Sequence, residues 1–336
     1  MADFEMPDDI RDATRAAWQR YLDLLTPFRP DLHRYCRKLT GNVWDAEDLA
    51  QDTLVRAFAS LGYVHRHIDN PRGYLLRTAS NLWIDAVRRR ASDAAMRVGI
   101  QPDTQETPPL TQGAEVREAG AIVLQHLMPQ ERAAVVMKEV FDMSLEEIAS
   151  VLSTTVGAIK AALHRGRARL RATDETPVAR GGKPSAELVD RFVACLNAAD
   201  LKGLLALMLD TGSVEELGNV LESGRNQFAK PGSWLFEAVN VHPELPAEMR
   251  PPKYLNERVT FQGEFLVISY LMFEGQKLLM SATRFEEQDE RIARLRAYNF
   301  CPETLQELAA TLGITPGQVP YRFPTPSPGR YWWDPA

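Results

Sequence analysis

The 336-residue chain lacks the features that mark secreted, membrane-spanning or disulfide-rich proteins. Cys36, Cys195 and Cys301 are far apart and odd in number, which argues against a disulfide framework or a zinc site and favours a reducing compartment. No run of about eighteen apolar residues predicts a membrane span. The acidic first residues, MADFEMPDDIRDATR, have no apolar core typical of a signal peptide. We therefore expect a cytoplasmic protein without membrane association.

An excess of positive charge is also missing, because the net charge is −6 and the pI is about 5.7. A basic balance is common among nucleic-acid-binding proteins, so any such role here needs a local cationic surface. Two stretches supply one: Arg88–Arg90, and the segment from Lys160 to Arg171.

The segment SLEEIASVLSTTVGAIKAALHRGRARLR, residues 144–171, predicts two helices joined by a tight turn. Ser144 and Glu147 form a capping box, and the hydroxyl residues 153–155 break the helical pattern. A buried stripe of Ile159, Leu163, Gly166 and Leu170 is expected on the second helix, with cations elsewhere and no acid between Glu147 and Asp174. This arrangement suits a helix-turn-helix entering the major groove, although a solvated basic helix has the same pattern.

Residues 11–90 are mostly helical by pattern, and one helix within them is rich in acids. The sequence WDAEDLAQDTLVRAFASL starts near Asp45, an expected N-cap, and its acidic side is expected to face outward. A turn at residues 70–73 then leads into YLLRTASNLWIDAVRRR. A capped helix with a solvated acidic face would explain the first of these segments by itself.

Three segments together resemble regions two and four of the extracytoplasmic-function sigma factors of bacterial RNA polymerase. They are DAEDLAQDTLVRAF, then NPRGYLLRTASNLWIDAVRRR, then MPQERAAVVMKEVFDMSLEEIASVLSTTVGAIKAALHRGRARL. They occur in the family's order and cover about half of the chain. The resemblance implies a transcription initiation factor, not an enzyme, that needs no cofactor or metal.

The resemblance also implies roles for individual residues. The partners implied are promoter DNA and the core polymerase, through its beta-prime clamp helices and its beta flap. The residues implied to contact the polymerase are Asp45, Glu47, Asp48 and Gln51. Contacts to the −10 element fall on Asn81, Trp83, Asp85, Arg88 and Arg89. Contacts to the −35 element fall on Lys160, Ala161, His164, Arg165, Arg167 and Arg169.

Some of these residues have simpler interpretations that stay open. Trp83 has apolar neighbours and is as well suited to core packing as to capturing an unstacked base. Arg88–Arg90 would also complement the dipole at a helix C-terminus. Ala161 and Ala162 stand where relatives often carry polar residues, so the promoter sequence cannot be named.

The rest of the chain predicts linkers and an α+β domain. Helical stripes from Leu188 to Met208 precede strand-like segments, RVTFQGEFLVISYLMF, KLLMSATRFEEQ and ERIARLRAYNF, and a helix from Pro302 to Leu312. This order resembles a SnoaL-like cone. The predicted fold is thus multidomain, two all-α sigma domains plus an α+β cone, divided as residues 1–92, 93–118 (linker), 119–172, 173–184 (linker), 185–315 and 316–336 (Pro-rich tail).

The C-terminal domain is expected to modulate the sigma part in cis, with three alternatives open: a small-molecule or protein ligand, polymerase contact, or restraint of regions two and four. SnoaL-like cones include enzymes, and Asp210, His242 and Glu264 would be candidates, but they show no catalytic spacing. The tail residues Trp332 and Trp333 would pack either on their own domain or against the sigma part. A repressor acting without polymerase would not explain the acidic helix.

Overall fold

The computed structural model describes residues 7–61, 68–98, 127–170, 184–217, 220–231, 233–239, 254–273, 275–319 and 321. Residues 93–98 of the linker predicted at 93–118 belong instead to a helix that ends at Val98. The rest of that linker, residues 173–183 of the second predicted linker, His242 and the tail tryptophans lie outside the described ranges. The chain divides into two compact units, Met1–Ala179 and Arg180–Ala336. No helix among the described residues is long and apolar enough to cross a membrane.

The first described part of the helical unit is a four-helix arrangement. Helices α1 (Asp8–Leu25), α2 (Arg29–Thr40), α3 (Val43–Leu61) and α4 (Pro71–Val98) follow one another, with a 3-10 turn at Thr26–Phe28. Helix α2 ends at Gly41, whose φ of 82° is the left-handed conformation that glycine adopts without strain. Helices α2, α3 and α4 pack on one another around Leu32, Tyr35, Leu54 and Leu76, all almost fully buried.

Helix α3 begins two residues earlier than predicted, and its cap is not Asp45. The side chain of Asn42 accepts a hydrogen bond from the Asp45 backbone N–H at 2.7 Å, so Asn42 caps the helix. Asn70 does the same for α4 by accepting from Gly73 N–H at 2.8 Å. The predicted turn at residues 70–73 is therefore the start of α4.

The second part of the helical unit contains α5 (Pro129–Glu139), α6 (Leu145–Val151) and α7 (Val156–Leu170). Helix α5 packs against α7 and also against α2 and α4. The buried side chains of both parts form one apolar cluster, from Tyr21 to Leu163. The two predicted all-α sigma domains therefore share a core within this unit.

The C-terminal unit is α+β, as predicted. Helices α8 (Ala186–Asn197) and α9 (Leu201–Leu207) lead into β1 (Met208–Glu216) and β2 (Val220–Ser223), followed by short helices α10 (Arg225–Phe228) and α11 (Trp234–Val239). Strands β3 (Leu255–Phe261), β4 (Glu264–Phe273), β5 (Gln276–Gln288) and β6 (Arg291–Ala297) precede α12 (Pro302–Leu312) and β7 (Thr315–Pro316).

The sheet order is β2-β1-β6-β5-β4-β3, with β7 beside β5. Strands β3 to β6 form the predicted antiparallel meander. The segment RVTFQGEFLVISYLMF is two strands, since Gln262 and Gly263 have φ of 50° and 69° and make a turn. Met208, expected on a helix, begins β1, which pairs in parallel with β6. The core of α8, α9 and the sheet is centred on Phe192, which meets Phe285 edge to face at 4.9 Å.

Candidate nucleic-acid interface

The predicted helix-turn-helix is present in α6 and α7. Glu147 N–H donates to Ser144 Oγ at 3.1 Å, and Ser144 N–H donates to the Glu147 carboxylate at 2.8 Å, so the capping box is formed. Hydrogen bonding of the Glu147 carboxylate to the Ser144 backbone, and secondarily to the Ser144 side chain, lowers the pKa of Glu147. Thr155 caps α7 by accepting from Ala158 N–H at 3.1 Å. The hydroxyl residues of the turn thus end one helix and start the next.

Close packing on α5 fixes which side of α7 is exposed. Ile159, Ala162, Leu163 and Gly166 are buried. A Cβ atom on Gly166 would lie 3.0 Å from Val135 Cγ2, a tight contact that would require Val135 to shift, so glycine favours the close approach of α5 and α7. The opposite side of α7, with Lys160, Ala161 and His164, faces solvent.

A cationic groove lies along this exposed side. We define the groove by the residues that line it. The groove encloses about 650 Å³, and its lining is Lys138, Leu145, Lys160, Leu163, His164, Arg167 and Ala168. No acid lines it. Asp142 and Glu139 lie at its edge, 3.4 Å from Lys138 and 2.5 Å from Arg167. Such a surface attracts the phosphate groups of DNA. Its side chains can also reach base edges in the major groove.

Two of the predicted −35 residues are held away from the groove. The Arg165 and Arg169 guanidinium groups each donate to the Glu131 carboxylate at 2.9 Å. Glu131 is buried on α5, while the two arginine side chains are 58% and 46% exposed. The cations predicted as one surface therefore form two sets, the groove residues and a pair of arginines that share the single carboxylate of Glu131.

Four of the five predicted −10 residues share the exposed face of α4. Asn81, Asp85, Arg88 and Arg89 face solvent, but Trp83 is only 6% exposed. The Arg132 guanidinium of α5 lies 5.1 Å from the Trp83 ring centre. In this structure Trp83 therefore packs in the core, which is one of the two interpretations of this residue given by the sequence.

The acidic helix α3 differs from the expectation that its acids all face outward. Glu47 is fully buried, 2.7 Å from the Arg29 guanidinium and 3.6 Å from His33 Nε2. Gln51 is also buried and donates to Glu47 at 2.9 Å. The predicted outward placement of Glu47 and Gln51 is therefore wrong, because α2 supplies a buried cation for the carboxylate. Asp45 and Asp48 are half-buried at the surface.

Two of the three alternative enzymatic residues of the C-terminal unit, Asp210 and Glu264, lie within the described residues, and both form ion pairs. Asp210 is exposed and lies 3.2 Å from Arg225. Glu264 is partly buried and binds Arg284 through both oxygens, at 2.8 Å and 3.0 Å. The coordinates show no cluster of metal-ligating side chains within the described part of the chain.

Comparison with known families identifies both parts of the helical unit. Residues 24–92 match Sigma-70 region 2, and residues 123–170 match Sigma-70 region 4. The chain therefore carries two regions of the sigma-70 family in the predicted order, and the resemblance to the extracytoplasmic-function sigma factors is confirmed.

Individual relatives agree with this class. The chain is 32% identical to SigE, an ECF RNA polymerase sigma factor of Mycolicibacterium smegmatis, over 48% of its own length and 65% of SigE. It is 27% identical to SigW of Bacillus subtilis over 48% of its length and 92% of SigW. It spans less than two thirds of SigE and 57% of SigG from Mycobacterium tuberculosis. The crystal structure of SigJ from Mycobacterium tuberculosis is 20% identical, with a TM-score of 0.30 over 85% of this chain and 98% of that one.

Sequence reasoning missed the contributions of α5. Lys138 lines the groove, Glu131 pairs with Arg165 and Arg169, and Arg132 covers Trp83. The segment PQERAAVVMKE shows a helix, but nothing local in it indicates which partners its charged residues meet.

Proposed function

We propose that this chain is a transcription initiation factor that binds bacterial core RNA polymerase and directs it to promoters with −10 and −35 elements. The observation that carries the proposal is the cationic groove on α7 within a unit that also holds Sigma-70 region 2. The chain itself catalyses nothing in this role. The C-terminal unit modulates initiation in cis.

The groove residues divide by chemistry into two roles. Lys160 and Arg167 carry permanent charge and suit phosphate oxygens, which position the helix without reading sequence. His164 and Ala161 point from the same exposed side toward base edges, where a ring nitrogen or a methyl group can discriminate bases. Arg165 can contact DNA only if its guanidinium leaves Glu131 and binds a phosphate or a base instead. The exposure of the Arg165 side chain permits this exchange.

Run-off transcription with core polymerase and the full chain is the direct test. A promoter-directed transcript that requires both the chain and core polymerase supports the proposal. DNA binding by the chain alone, with no association with core polymerase, would instead identify a repressor or activator of the ordinary helix-turn-helix kind.

Groove variants locate the DNA contacts. Replacing Lys160 and Arg167 together with Ala should lower the slope of log affinity against log salt concentration by about 2, one for each lost phosphate contact. His164→Ala should cost about 1–3 kcal/mol at one promoter position and leave the slope unchanged. Lys202→Ala, an exposed helical lysine of the C-terminal unit, is the matched control. An unchanged slope in the double variant excludes the groove.

The polymerase contact is expected on the part of α3 that stays at the surface. Reversing charge at Asp45 and Asp48 should weaken core binding without unfolding the chain, since carboxylates steer a basic partner. Normal affinity in a pull-down would remove this docking surface. Glu47 and Gln51 are poor choices for this test, because their burial makes any variant a stability variant.

Modulation by the C-terminal unit is tested by truncation after Ala179, where the two compact units divide. Comparing run-off output of residues 1–179 with that of the full chain gives the sign of the modulation. Equal output at equal core affinity would exclude a role in cis.

A further inference from the structure

The three arginines of α7 are all paired with carboxylates of α5. Arg167 lies 2.5 Å from Glu139, and Arg165 and Arg169 each donate to Glu131 at 2.9 Å. Arg165 and Arg169 are four positions apart, which places them one above the other on the helix, so one carboxylate reaches both. The sequence of α7 itself contains no acid. The carboxylates that pair with its arginines therefore come from another helix.

The two carboxylates differ in burial. The Glu131 side chain is 4% exposed, whereas the Glu139 side chain is 50% exposed. An ion pair at the surface contributes little to stability, so its members exchange partners readily. A buried carboxylate is costly to leave unpaired, because water does not replace the cation that it loses. Arg167 can therefore leave Glu139 for a phosphate at little cost, and the same exchange costs more at Glu131.

Packing holds Glu131 directly beside α7. A methyl group on Gly166 would lie 3.6 Å from Glu131 Cβ, so the carboxylate starts from a point close to the helix backbone. Its Oε1 accepts from Arg165 Nε, and its Oε2 accepts from Arg169 Nη1 and, at 3.3 Å, from the Met128 backbone N–H. Both carboxylate oxygens are thus occupied as long as the two arginines stay in place.

Phosphate contacts set the part of DNA affinity that does not depend on sequence. Each phosphate neutralised by a cation adds about 0.9 to the slope of log affinity against log salt concentration. Lys160 and Arg167 line the groove and are available for such contacts. Arg165 and Arg169 lie on the same helix with side chains 58% and 46% exposed, and exposure alone would make them available too. The buried carboxylate of Glu131 is the difference between the two sets.

We propose that Glu131 is a positioning residue that withholds Arg165 and Arg169 from phosphate, so that Lys160 and Arg167 supply the phosphate contacts of α7. The inference rests on the proposed function and adds how the DNA affinity of the same helix is limited. The part of binding that is independent of sequence is kept small by a carboxylate on a neighbouring helix.

The test is the salt dependence of DNA binding by the full chain. Fluorescence anisotropy of a labelled mixed-sequence duplex gives the affinity between about 50 mM and about 200 mM salt. Glu131→Gln keeps the side-chain volume and a capping acceptor for Met128 but removes the charge that holds the arginines. Its slope should be steeper than that of wild type by about 1 for each arginine released. Over this salt range E131Q should therefore gain about threefold to tenfold more affinity than wild type.

Three further variants separate positioning from a general charge effect. Glu139→Gln removes the same charge from the same helix at an exposed pair, and it should steepen the slope by less than half as much. Glu146→Gln, exposed on α6, is the control for net charge and should leave the slope unchanged. Adding Arg165→Ala and Arg169→Ala to E131Q should return the slope to the wild-type value, a suppression that a structural role of Glu131 would not produce.

A second measurement needs no variant. In the ¹⁵N-labelled wild-type chain, the Nε–H signal of Arg165 should keep its position when mixed-sequence DNA is added, because its acceptor remains Glu131. The Nε–H signal of Arg167 should shift, since this arginine exchanges Glu139 for a phosphate. Equal shifts of the two signals would overturn the proposal even if E131Q does not fold by circular dichroism.

The variants can overturn the proposal independently. Equal binding by folded E131Q and wild type across the salt range would do so, and so would equal slopes in E131Q and E139Q, because burial would then not decide which arginines are withheld. Absence of any promoter-directed transcript from the wild-type chain is a separate result that removes the proposed function itself.

Discussion

The helical unit and the C-terminal unit differ in how completely their poorly solvated charged side chains are paired. In the C-terminal unit, Glu264 binds Arg284 through both oxygens, and Glu215 accepts from Arg294 and Arg296 at 2.6 Å and 3.0 Å. In the helical unit, Arg29 pairs with Glu47 within region two, whereas the contacts of Arg132 among the described residues are with the Leu39 carbonyl and the Trp83 ring.

The difference is between contacts that stabilise the interior of one module and contacts between two modules, which cost less to break. A buried pair is costly to break, because each partner is left without compensation in a poorly solvated place. A buried cation without a counter-ion gains solvation when its interface opens. We therefore expect changes to the paired charges inside region two to cost more stability than changes to the contacts of Arg132.

The largest expected effect comes from breaking the paired charge inside region two. Glu47→Ala leaves Arg29 buried without its carboxylate and should lower the free energy of unfolding by about 3–5 kcal/mol. Chemical denaturation followed by circular dichroism measures the loss. Glu146→Ala, exposed on α6, should change it little. A loss under about 1 kcal/mol for E47A would mean that Arg29 relaxes into water and that the contrast with Arg132 is false.

A smaller effect is expected in the C-terminal unit, where the paired charge is nearer to solvent. Glu264→Ala removes the bidentate contact with Arg284, whose side chain is 25% exposed, and should cost about 1–2 kcal/mol. Glu257→Ala removes the more exposed pair with Lys277 and should cost under about 1 kcal/mol. Differential scanning calorimetry of both variants provides the comparison. Equal losses would show that burial does not set the strength of these pairs.

The smallest effect concerns charge that is fully at the surface. Ser144→Ala removes the cap of α6 and should cost about 1 kcal/mol. It should also raise the pKa of Glu147 part of the way toward its ordinary value of 4.5, since the variant keeps the backbone hydrogen bond of residue 144, which is the larger cause of the lowered pKa, and loses only the side-chain one. A depressed folded-state pKa stabilises the fold above the unfolded-state value, and the contribution disappears as pH falls through the folded-state value.

Carboxyl NMR titration of Glu147 checks this prediction. The acid-side loss of stability tied to Glu147 should be present in wild type and reduced in S144A. An unchanged Glu147 titration in the variant would show that the Ser144 hydroxyl does not contribute to the lowered pKa of this carboxylate.

Much of the secondary structure followed from short-range signals. The capping box at Ser144 and Glu147, the left-handed Gly41, and the helix from Pro302 to Leu312 ended by Gly313 were all readable in the sequence, because each depends on residues within one turn. Asn42 shows the limit of this reasoning. Asn42 and Asp45 are both good caps, and only the backbone geometry selects between them.

The candidate site was predicted less completely than the helices that carry it. Lys160, His164 and Arg167 share a groove, as a cationic second helix led us to expect. Arg165 and Arg169 do not join them, because Glu131 lies 34 and 38 positions away in sequence but directly beside them on α5. Glu47 was placed on the wrong side of α3 for a similar reason, since its cation comes from another helix.

The sequence alone determined the class of the helical unit, the helix-turn-helix with its capping box, the helix from Pro302 to Leu312, and the α+β nature of the C-terminal unit. These features depend on apolar periodicity and on hydrogen bonds between residues a few positions apart. The tertiary structure decided which charges are paired, that Trp83 lies under Arg132, and that β1 joins the sheet beside β6 in parallel. Arg132 and Leu39 are 93 positions apart, and a contact at that separation exists only once the intervening helices have packed.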